Sequence, residues 1–271
     1  MPDARAIIFT GRIYPERTSV EVKTDGPSDA LRLEIALEGG ARLPMRIVID
    51  ASQVIVAIAA PEPSVDLLTL KNSVQSVVSS LADVVGWQNG CGYLAEVTSY
   101  ASSDAQGVFG VQIPVLAARH SRLDTTTIVA LLLAGRDGFY LRRSLADLRA
   151  AILSPDDTPF FCFRAVEALV RQFPGTKGNA RAAMCATLRV DDSWIVRWLQ
   201  KPANDIRHGA VVPVTDEQRQ RSFLAAHEVI ERYMVWRSSG GAALTDGEFP
   251  RLRRDDDPLP ASAAAATPAE G

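Results

Sequence analysis

The chain has 271 residues, a formal charge of −3 at pH 7 and a pI near 5.7, with 47% hydrophobic and 23% charged residues. This length allows two domains of ordinary size, and this balance excludes global disorder. The charge also excludes an overall positive field that would hold nucleic acid by counterion release, so any nucleic-acid contact has to be local.

The first half of the chain carries apolar runs that are typical of strands. In Leu31–Leu37, apolar and polar residues alternate, which predicts one buried and one exposed face. Strands are predicted over Ala6–Tyr14, Ser19–Lys23, Leu31–Leu37, Leu43–Asp50, Val54–Ile58, Gly92–Tyr100 and Val108–Leu116. Between the fifth and sixth of them, apolar residues recur every three or four positions. This period predicts one amphipathic helix, with Ser64 as its N-cap and Gly86 at its end.

From Asp124 onward, the pattern favours helices. They are predicted over Thr125–Ala134, Tyr140–Leu153, Thr158–Phe173, Ala180–Lys201 and Thr215–Trp236. Thr215 is the expected N-cap of the last helix, and Pro202 is expected to end or kink the fourth. Beyond Ser238, the chain is charged and then rich in Ala and Pro, which predicts a disordered tail.

These patterns predict an α+β protein, with an N-terminal antiparallel sheet that carries one long helix and a C-terminal all-α helical bundle. We expect a strand-rich α+β domain over residues 1–120, a helical bundle over 121–238 and a disordered tail over 239–271. The N-terminus does not have the pattern of a signal peptide, and the longest apolar stretches reach only seven residues. We therefore expect a cytoplasmic protein without a membrane segment.

Several familiar chemistries lack their sequence signatures. The chain contains no Gly-x-Ser-x-Gly, no Gly-x-Gly-x-x-Gly and no Walker lysine motif. Cys91, Cys162 and Cys185 form no CxxC pair and have no histidine at ligand spacing, so we predict buried, reduced thiols and no metal site. No cofactor is predicted.

The histidines differ in their sequence neighbours. His120 lies in a polar connector and is expected to be solvated, whereas His227 on an apolar helix is expected to be structural. Near His208, Asn204 and Arg207 fall at i and i+3 of the same turn, and Asp205 adds a carboxylate. An imidazole and a guanidinium together provide the groups for RNA phosphodiester cleavage. The alternative is a polar network that caps the helix, with Gly209 in the left-handed position.

A second cluster is predicted on the helix over Phe160–Phe173. Arg164, Glu167 and Arg171 lie on one face at i, i+3 and i+7. Glu167 can orient an arginine, accept a hydrogen bond from His208, or form an ordinary surface ion pair. Lys201 can hold a phosphate as a point charge.

The helical half resembles the HEPN superfamily, which consists of small helical bundles found in toxins, phage-defence proteins and RNases. The resemblance covers roughly Ser144–Arg237 and rests on four segments: Phe160–Leu169, a long helix with Trp194 and Trp198, Ala203–Gly209 and a closing helix from Thr215. Active members carry an arginine before the histidine, with four to six residues between the two. Here Lys201, Pro202 and Ala203 occupy those positions before His208, so the resemblance implies a non-catalytic module. It also implies homodimerisation.

The leading hypothesis is a HEPN-like binding or interaction module for RNA, a nucleotide or a protein partner. Its candidate binding residues are Asn204, Asp205, Arg164, Glu167 and Lys201, beside Arg207 and His208. One alternative is a metal-independent endoribonuclease with His208 as general base and Arg207 or Arg164 as phosphate anchor. The other is a structural scaffold. No DNA-binding signature and no membrane partner are predicted.

Overall fold

The computed structural model describes residues 6–15, 19–22, 30–36, 42–59, 66–110, 113–209 and 214–259. The chain divides into two compact units, Met1–Val111 and Gln112–Gly271. The predicted α+β fold class is confirmed, because the first unit contains an antiparallel sheet and the second is mostly helical.

The part of the first unit that the structure describes contains a sheet of six strands. Its strands are β1 (Ala6–Tyr14), β2 (Leu31–Ala36), β3 (Arg42–Asp50), β4 (Gln53–Ala59), β5 (Leu94–Ala101) and β6 (Gln106–Val108). They lie in the order β2-β3-β4-β1-β5-β6, and every neighbouring pair is antiparallel. Ala51 and Ser52 connect β3 to β4 with positive φ at both positions, as a two-residue hairpin turn requires.

A single long helix, α1 (Leu67–Asn89), packs on the sheet. Its apolar stripe enters the same core as the inward residues of the strands, among them Phe9, Val56, Val74 and Val78. The buried side chain of Gln75 ties α1 to β5, because Nε2 donates to Ala95 O at 2.6 Å and Oε1 accepts from Val97 N at 2.8 Å. The helix therefore satisfies hydrogen-bonding backbone groups of β5 and also covers the apolar residues of the sheet.

The ends of α1 differ from the prediction. Asp66 is the N-cap, since its carboxylate accepts from Thr69 N at 2.9 Å, and Ser64 lies outside the described residues. The helix continues through Gly86 to Asn89 and ends at Gly90, whose φ of +65° is the left-handed cap conformation.

Two of the predicted strands are absent or shortened within the described residues. Of Ser19–Lys23, residues 19–22 are described, and Val22 makes only an isolated bridge to Ile49. Of the described residues of Val108–Leu116, which are 108–110 and 113–116, Val108 alone is in a strand, and Pro114 begins a short helix. Proline favours the first turn of a helix because its missing N–H is not needed there.

The second unit is a helical bundle. Its helices are α2 (Pro114–Ala117), α3 (Thr125–Leu133), α4 (Gly135–Leu153), α5 (Thr158–Val170), α6 (Lys177–Leu188), α7 (Asp192–Ile195), α8 (Lys201–Arg207) and α9 (Asp216–Ser238). The central helices α5 and α9 bury residues such as Cys162, Val166, Phe223 and Tyr233 in one core. As predicted, Thr215 caps α9, and with Gln218 it forms a capping box.

The predicted helix over Ala180–Lys201 is interrupted. α6 ends at Arg189, which has a φ of +59°, and a new helix begins at Asp192. A π-helical turn over Val196–Gln200 then joins α7 to α8, with Lys201 N–H donating to Val196 O five residues earlier. Pro202 lies in the first turn of α8 and does not end the helix. The π turn shifts the hydrogen-bond register just before Pro202, so the missing N–H of the proline is tolerated there.

The structure contradicts the predicted disorder over the first part of the tail. Residues 239–259 pack on the second unit, where Leu244, Phe249 and Leu259 are buried. Trp194 Nε1 donates to Asp256 O at 2.8 Å, which fixes the charged stretch as well. The polar composition of the tail concealed these few well-spaced apolar anchors, and residues 260–271 lie outside the described part.

Candidate functional site

The predicted cluster around His208 lies on α8 and its C-terminal cap. His208 N–H donates to Asn204 O at 3.1 Å and to Asp205 O at 3.2 Å, and Gly209 follows with a φ of +79°. The left-handed cap of the alternative interpretation is therefore present. The side chains of Lys201, Asp205, Arg207 and His208 are exposed, and that of Asn204 is half-buried.

The cluster predicted on α5 lines an open groove of about 470 Å³ beside α4. Residues of α5 and its C-cap Arg171 form one wall and residues of α4 the other: Arg164, Glu167, Ala168 and Arg171 with Phe139, Tyr140, Arg143 and Asp147. We call this feature the α4–α5 groove. Among the described residues, none from α8 lines it. The structure thus brings Arg164 and Glu167 together, but it does not bring Arg207 or His208 into the groove with them.

A buried carboxylate organises the α4–α5 groove. Asp147 is 5% exposed, and its Oδ2 accepts a hydrogen bond from Arg143 Nε at 3.3 Å. Its Oδ1 lies 3.3 Å from Arg164 Nη2. The Arg164 guanidinium also lies 5.5 Å from the ring centre of Phe160. Because its guanidinium is held by a carboxylate and a ring, Arg164 is preorganised at the wall of the groove.

The groove carries an excess of positive charge and an exposed aromatic ring. Three guanidinium groups, from Arg143, Arg164 and Arg171, face two carboxylates, from Asp147 and Glu167. Phe139 at the edge of the groove is 56% exposed. Guanidinium groups bind phosphate oxygens through paired N–H donors, and exposed rings stack on nucleobases.

A smaller cavity of about 80 Å³ adjoins the groove and shares Glu167 and Arg171 with it. Its wall is mostly apolar and comes from Phe163, Val166, Val170, Met184 and Ile195. Arg181 lines this cavity too, and its Nη1 donates to Gln200 Oε1 at 2.9 Å. Its Nη2 is buried and has no hydrogen-bond partner among the described residues, so one guanidinium donor remains available beside the cavity.

Comparison with known proteins places both units in one family. Residues 7–107 match the model described as Domain of unknown function (DUF8168) N-terminal domain, and residues 125–238 match the DUF8168 C-terminal domain. The chain carries both DUF8168 domains. No curated protein and no solved structure matches it.

Both candidate clusters fall inside the DUF8168 C-terminal domain. The α4–α5 groove is built from residues 139–171 and α8 from residues 201–207, all within the matched range of 125–238. The packed tail over residues 239–259 follows that range.

Sequence reasoning missed three residues of this part of the DUF8168 C-terminal domain. Arg143 and Asp147 lie at i and i+4 on α4, a spacing that is visible in the sequence. Their role in the groove depends on the packing of α4 against α5. The spacing along α4 does not show which helix packs against this face. Arg181 was missed for the same reason, because its neighbours Asp192 and Gln200 come from beyond the unpredicted break after α6.

Two of the three cysteines are buried and one is exposed. Burial raises the pKa of the Cys162 thiol and raises the pKa of Cys185 to about 11, so both stay protonated thiols at neutral pH. The prediction of a buried thiol is wrong for Cys91, which is exposed.

The histidines also differ in burial. Burial lowers the pKa of His227, which is half-buried, whereas His120 is exposed as expected.

Two further findings concern the described residues of both DUF8168 domains. They contain no cluster of three or more His, Cys, Asp or Glu side chains that could hold a metal ion. None of their helices is long and apolar enough to cross a membrane.

Proposed function

We propose that the helical unit is a non-catalytic binding module for a phosphate-bearing nucleotide, taken either from single-stranded RNA or as a free nucleotide. The observation that carries this proposal is Asp147, a buried carboxylate that contacts Arg143 and Arg164 at the wall of the α4–α5 groove. A guanidinium that is already oriented loses less side-chain entropy when it binds a phosphate.

The remaining residues of the groove support the same ligand chemistry. Arg171 adds a third guanidinium, and the exposed ring of Phe139 offers a surface on which a base can stack. The net charge of −3 does not oppose this binding, because the positive charge is concentrated locally in the groove. Such contacts weaken as salt is added, since each neutralised phosphate releases counterions.

The relation to the HEPN superfamily and the homodimer that it implies also remain proposals. Their support is the helical bundle in which α5 packs centrally and α9 closes the core. The candidate residues on α8 are a second part of the proposed binding surface, because Lys201 and Arg207 are exposed cations on the same unit. The scaffold hypothesis is the outcome in which no nucleotide or RNA binds.

Fluorescence anisotropy with a labelled oligouridylate tests this proposal. The variant R143Q/R171Q removes two cations from the groove and leaves the contact between Asp147 and Arg164 in place. The matched control R136Q/R149Q removes two exposed arginines of α4 that do not line the groove. We expect about tenfold weaker binding for R143Q/R171Q and a salt slope smaller by about 1.4, because two contacts to a single strand are lost. The control should bind like the wild-type protein.

Competition separates the two sources of the ligand. If ATP or UTP displaces the oligouridylate at micromolar concentration, the groove takes free nucleotides; if only unlabelled RNA displaces it, the groove takes a strand. Absence of binding by the wild-type protein in low salt overturns the proposal, as does an equal loss in the control variant.

A further inference from the structure

The packed tail crosses an arginine-rich part of the helical unit. Its residues Arg251–Asp257, which we call the C-terminal strap, carry three consecutive carboxylates, and two of these form ion pairs with the bundle. Asp255 pairs with Arg197, and Asp257 lies 3.2 Å from Arg221 Nη2 and accepts a hydrogen bond from Arg221 Nε at 3.3 Å. The hydrogen bond that Arg221 donates to the Asp257 carboxylate raises the pKa of Arg221.

The surface under these carboxylates combines two cations with an aromatic ring. The guanidinium carbon of Arg197 lies 4.8 Å from the ring centre of Trp198, and that of Arg221 lies 5.7 Å from it. We call these three residues the Arg197–Arg221 patch. The Trp198 indole N–H is buried and has no hydrogen-bond partner among the described residues. Guanidinium groups beside an indole have the chemistry of a phosphate contact on a nucleic-acid surface.

The backbone of the strap is held more firmly than its acidic side chains. The chain just before it is anchored by the buried ring of Phe249, and Leu252 N–H donates to Arg189 O at 3.0 Å. The Asp255 side chain, in contrast, is 84% exposed in its pair with Arg197, and ion pairs of this kind contribute little in salt. Asp256 O accepts from Trp194 Nε1 at 2.8 Å and Leu259 is buried just after the strap, so the Asp255 and Asp257 side chains can leave their arginines while the backbone of the strap stays in place.

A chain of contacts connects the Arg197–Arg221 patch to the α4–α5 groove. Arg171 lines both the groove and the adjoining cavity, and Arg181 lines that cavity. Arg181 donates to Gln200, which belongs to the same π-helical turn as Arg197. Arg181 thus links the cavity beside the groove to the helical turn that carries Arg197.

We infer that the C-terminal strap is an autoinhibitory segment, in which Asp255 and Asp257 occupy a phosphate-binding position formed by Arg197 and Arg221. While the strap is bound, Arg197 and Arg221 face Asp255, Asp257 and the Glu217 carboxylate, which lies 2.6 Å from Arg221. When the Asp255 and Asp257 side chains turn away, two guanidinium groups face a single carboxylate, and the patch becomes attractive to an RNA backbone. This inference rests on the proposed function, since it extends the same RNA ligand to a second contact.

The test compares full-length variants in the same anisotropy titration with labelled oligouridylate. In D255N/D257N the side chains keep their shape but lose their charge, so the strap no longer competes for the patch. We expect about fivefold tighter binding and a salt slope steeper by about 1.4, the value for two additional phosphate contacts to a single strand. The control D246N/E248Q removes two charges from the same tail without touching Arg197 or Arg221, and it should leave the affinity near that of the wild-type protein.

A third variant ties the gain to the patch. In D255N/D257N/R197Q/R221Q, the affinity should return to that of the wild-type protein. An unchanged affinity in D255N/D257N, an equal gain in D246N/E248Q, or a gain that survives in the quadruple variant overturns the autoinhibitory role and leaves the proposed function intact. Absence of RNA binding by both the wild-type protein and D255N/D257N overturns both proposals.

Discussion

The Asp147 carboxylate on α4 lies 3.3 Å from the Arg164 guanidinium on α5. The same carboxylate accepts a hydrogen bond from Arg143 one turn earlier on α4, so one buried group holds cations from two helices. A carboxylate that is almost fully buried has to be paired, because its desolvation is otherwise unfavourable. The packing of α4 against α5 and the arrangement of the groove therefore depend on the same side chain.

Replacing Asp147 tests this dependence. In Asp147→Asn, the amide cannot accept from both arginines as a carboxylate does, and we expect the free energy of unfolding to fall by about 1 to 2 kcal/mol. Urea denaturation followed by circular dichroism measures the change. Asp205→Asn is the control, because Asp205 is exposed on α8 and its replacement should change the stability by less than about 0.5 kcal/mol. Equal stability of the two variants would show that the Asp147 contacts do not hold the helices.

RNA cleavage separates the binding module from the endoribonuclease hypothesis. Arg207 and His208 are exposed at the end of α8, outside the α4–α5 groove, so we expect no cutting of single-stranded RNA by the wild-type protein in chelator. His208→Ala and Arg207→Ala should behave in the same way, and gel electrophoresis of labelled RNA detects the products. Metal-independent cutting that both folded variants lose would instead establish a nuclease.

The buried ring of Phe249 makes the packed tail testable. Phe249 is 2% exposed, and the guanidinium carbons of Arg122 and Arg232 lie 4.1 Å and 5.2 Å from its ring centre. We expect Phe249→Ala to lower the free energy of unfolding by about 3 to 5 kcal/mol, as for other buried phenylalanines. Thermal unfolding measures the effect. Phe139→Ala is the matched control at an exposed ring, and a tail that does not pack would leave both variants as stable as the wild-type protein.

His227 predicts a pH dependence of stability. Burial lowers its folded-state pKa from the ordinary value of 6.5, although nearby Glu231 opposes the shift. As the pH falls through about 6.5, the unfolded chain binds a proton that the folded state does not, so the free energy of unfolding decreases. We expect His227→Gln to lose less stability than the wild-type protein between about pH 7.5 and about pH 5.5. The measurement is the urea midpoint at each pH.

The exposed His120 provides the control for this experiment. His120→Gln should retain the pH dependence of the wild-type protein, because the side chain of His120 is exposed and that of His227 is not. If His227→Gln shows the wild-type decrease, burial of this imidazole does not contribute to the pH response.

The elements that were predicted correctly depend on local pattern. β1, β3, β4 and α1 follow from apolar periodicity, and the capping box at Thr215 follows from its immediate neighbours. The break at Arg189 does not follow from a local pattern. Its left-handed backbone is held by distant residues, since Leu252 N–H donates to Arg189 O and Arg189 Nε donates to Phe249 O at 2.9 Å. Contacts over this sequence separation leave no periodic signal.

The residues of the candidate site also separate into those that local spacing predicts and those that depend on tertiary packing. The spacing of Arg164, Glu167 and Arg171 was sufficient to predict one shared face of α5, and all three line the groove. The contribution of Asp147 required knowledge that α4 packs against this face. The predicted approach of His208 to Glu167 likewise depended on tertiary packing, and α8 supplies no described residue to the groove.

The anchoring of the tail affects how fragments of this protein should be designed. The DUF8168 C-terminal match ends at residue 238, so a fragment cut there would appear complete by family boundaries. Such a fragment would lack Pro250 O, which accepts from the buried Arg232 guanidinium at 2.9 Å, and the ring that covers the same group. A buried cation would then be uncovered on the surface of α9 beside newly exposed apolar side chains, a combination that promotes aggregation. Expression that extends through residue 259 keeps this part of the domain closed.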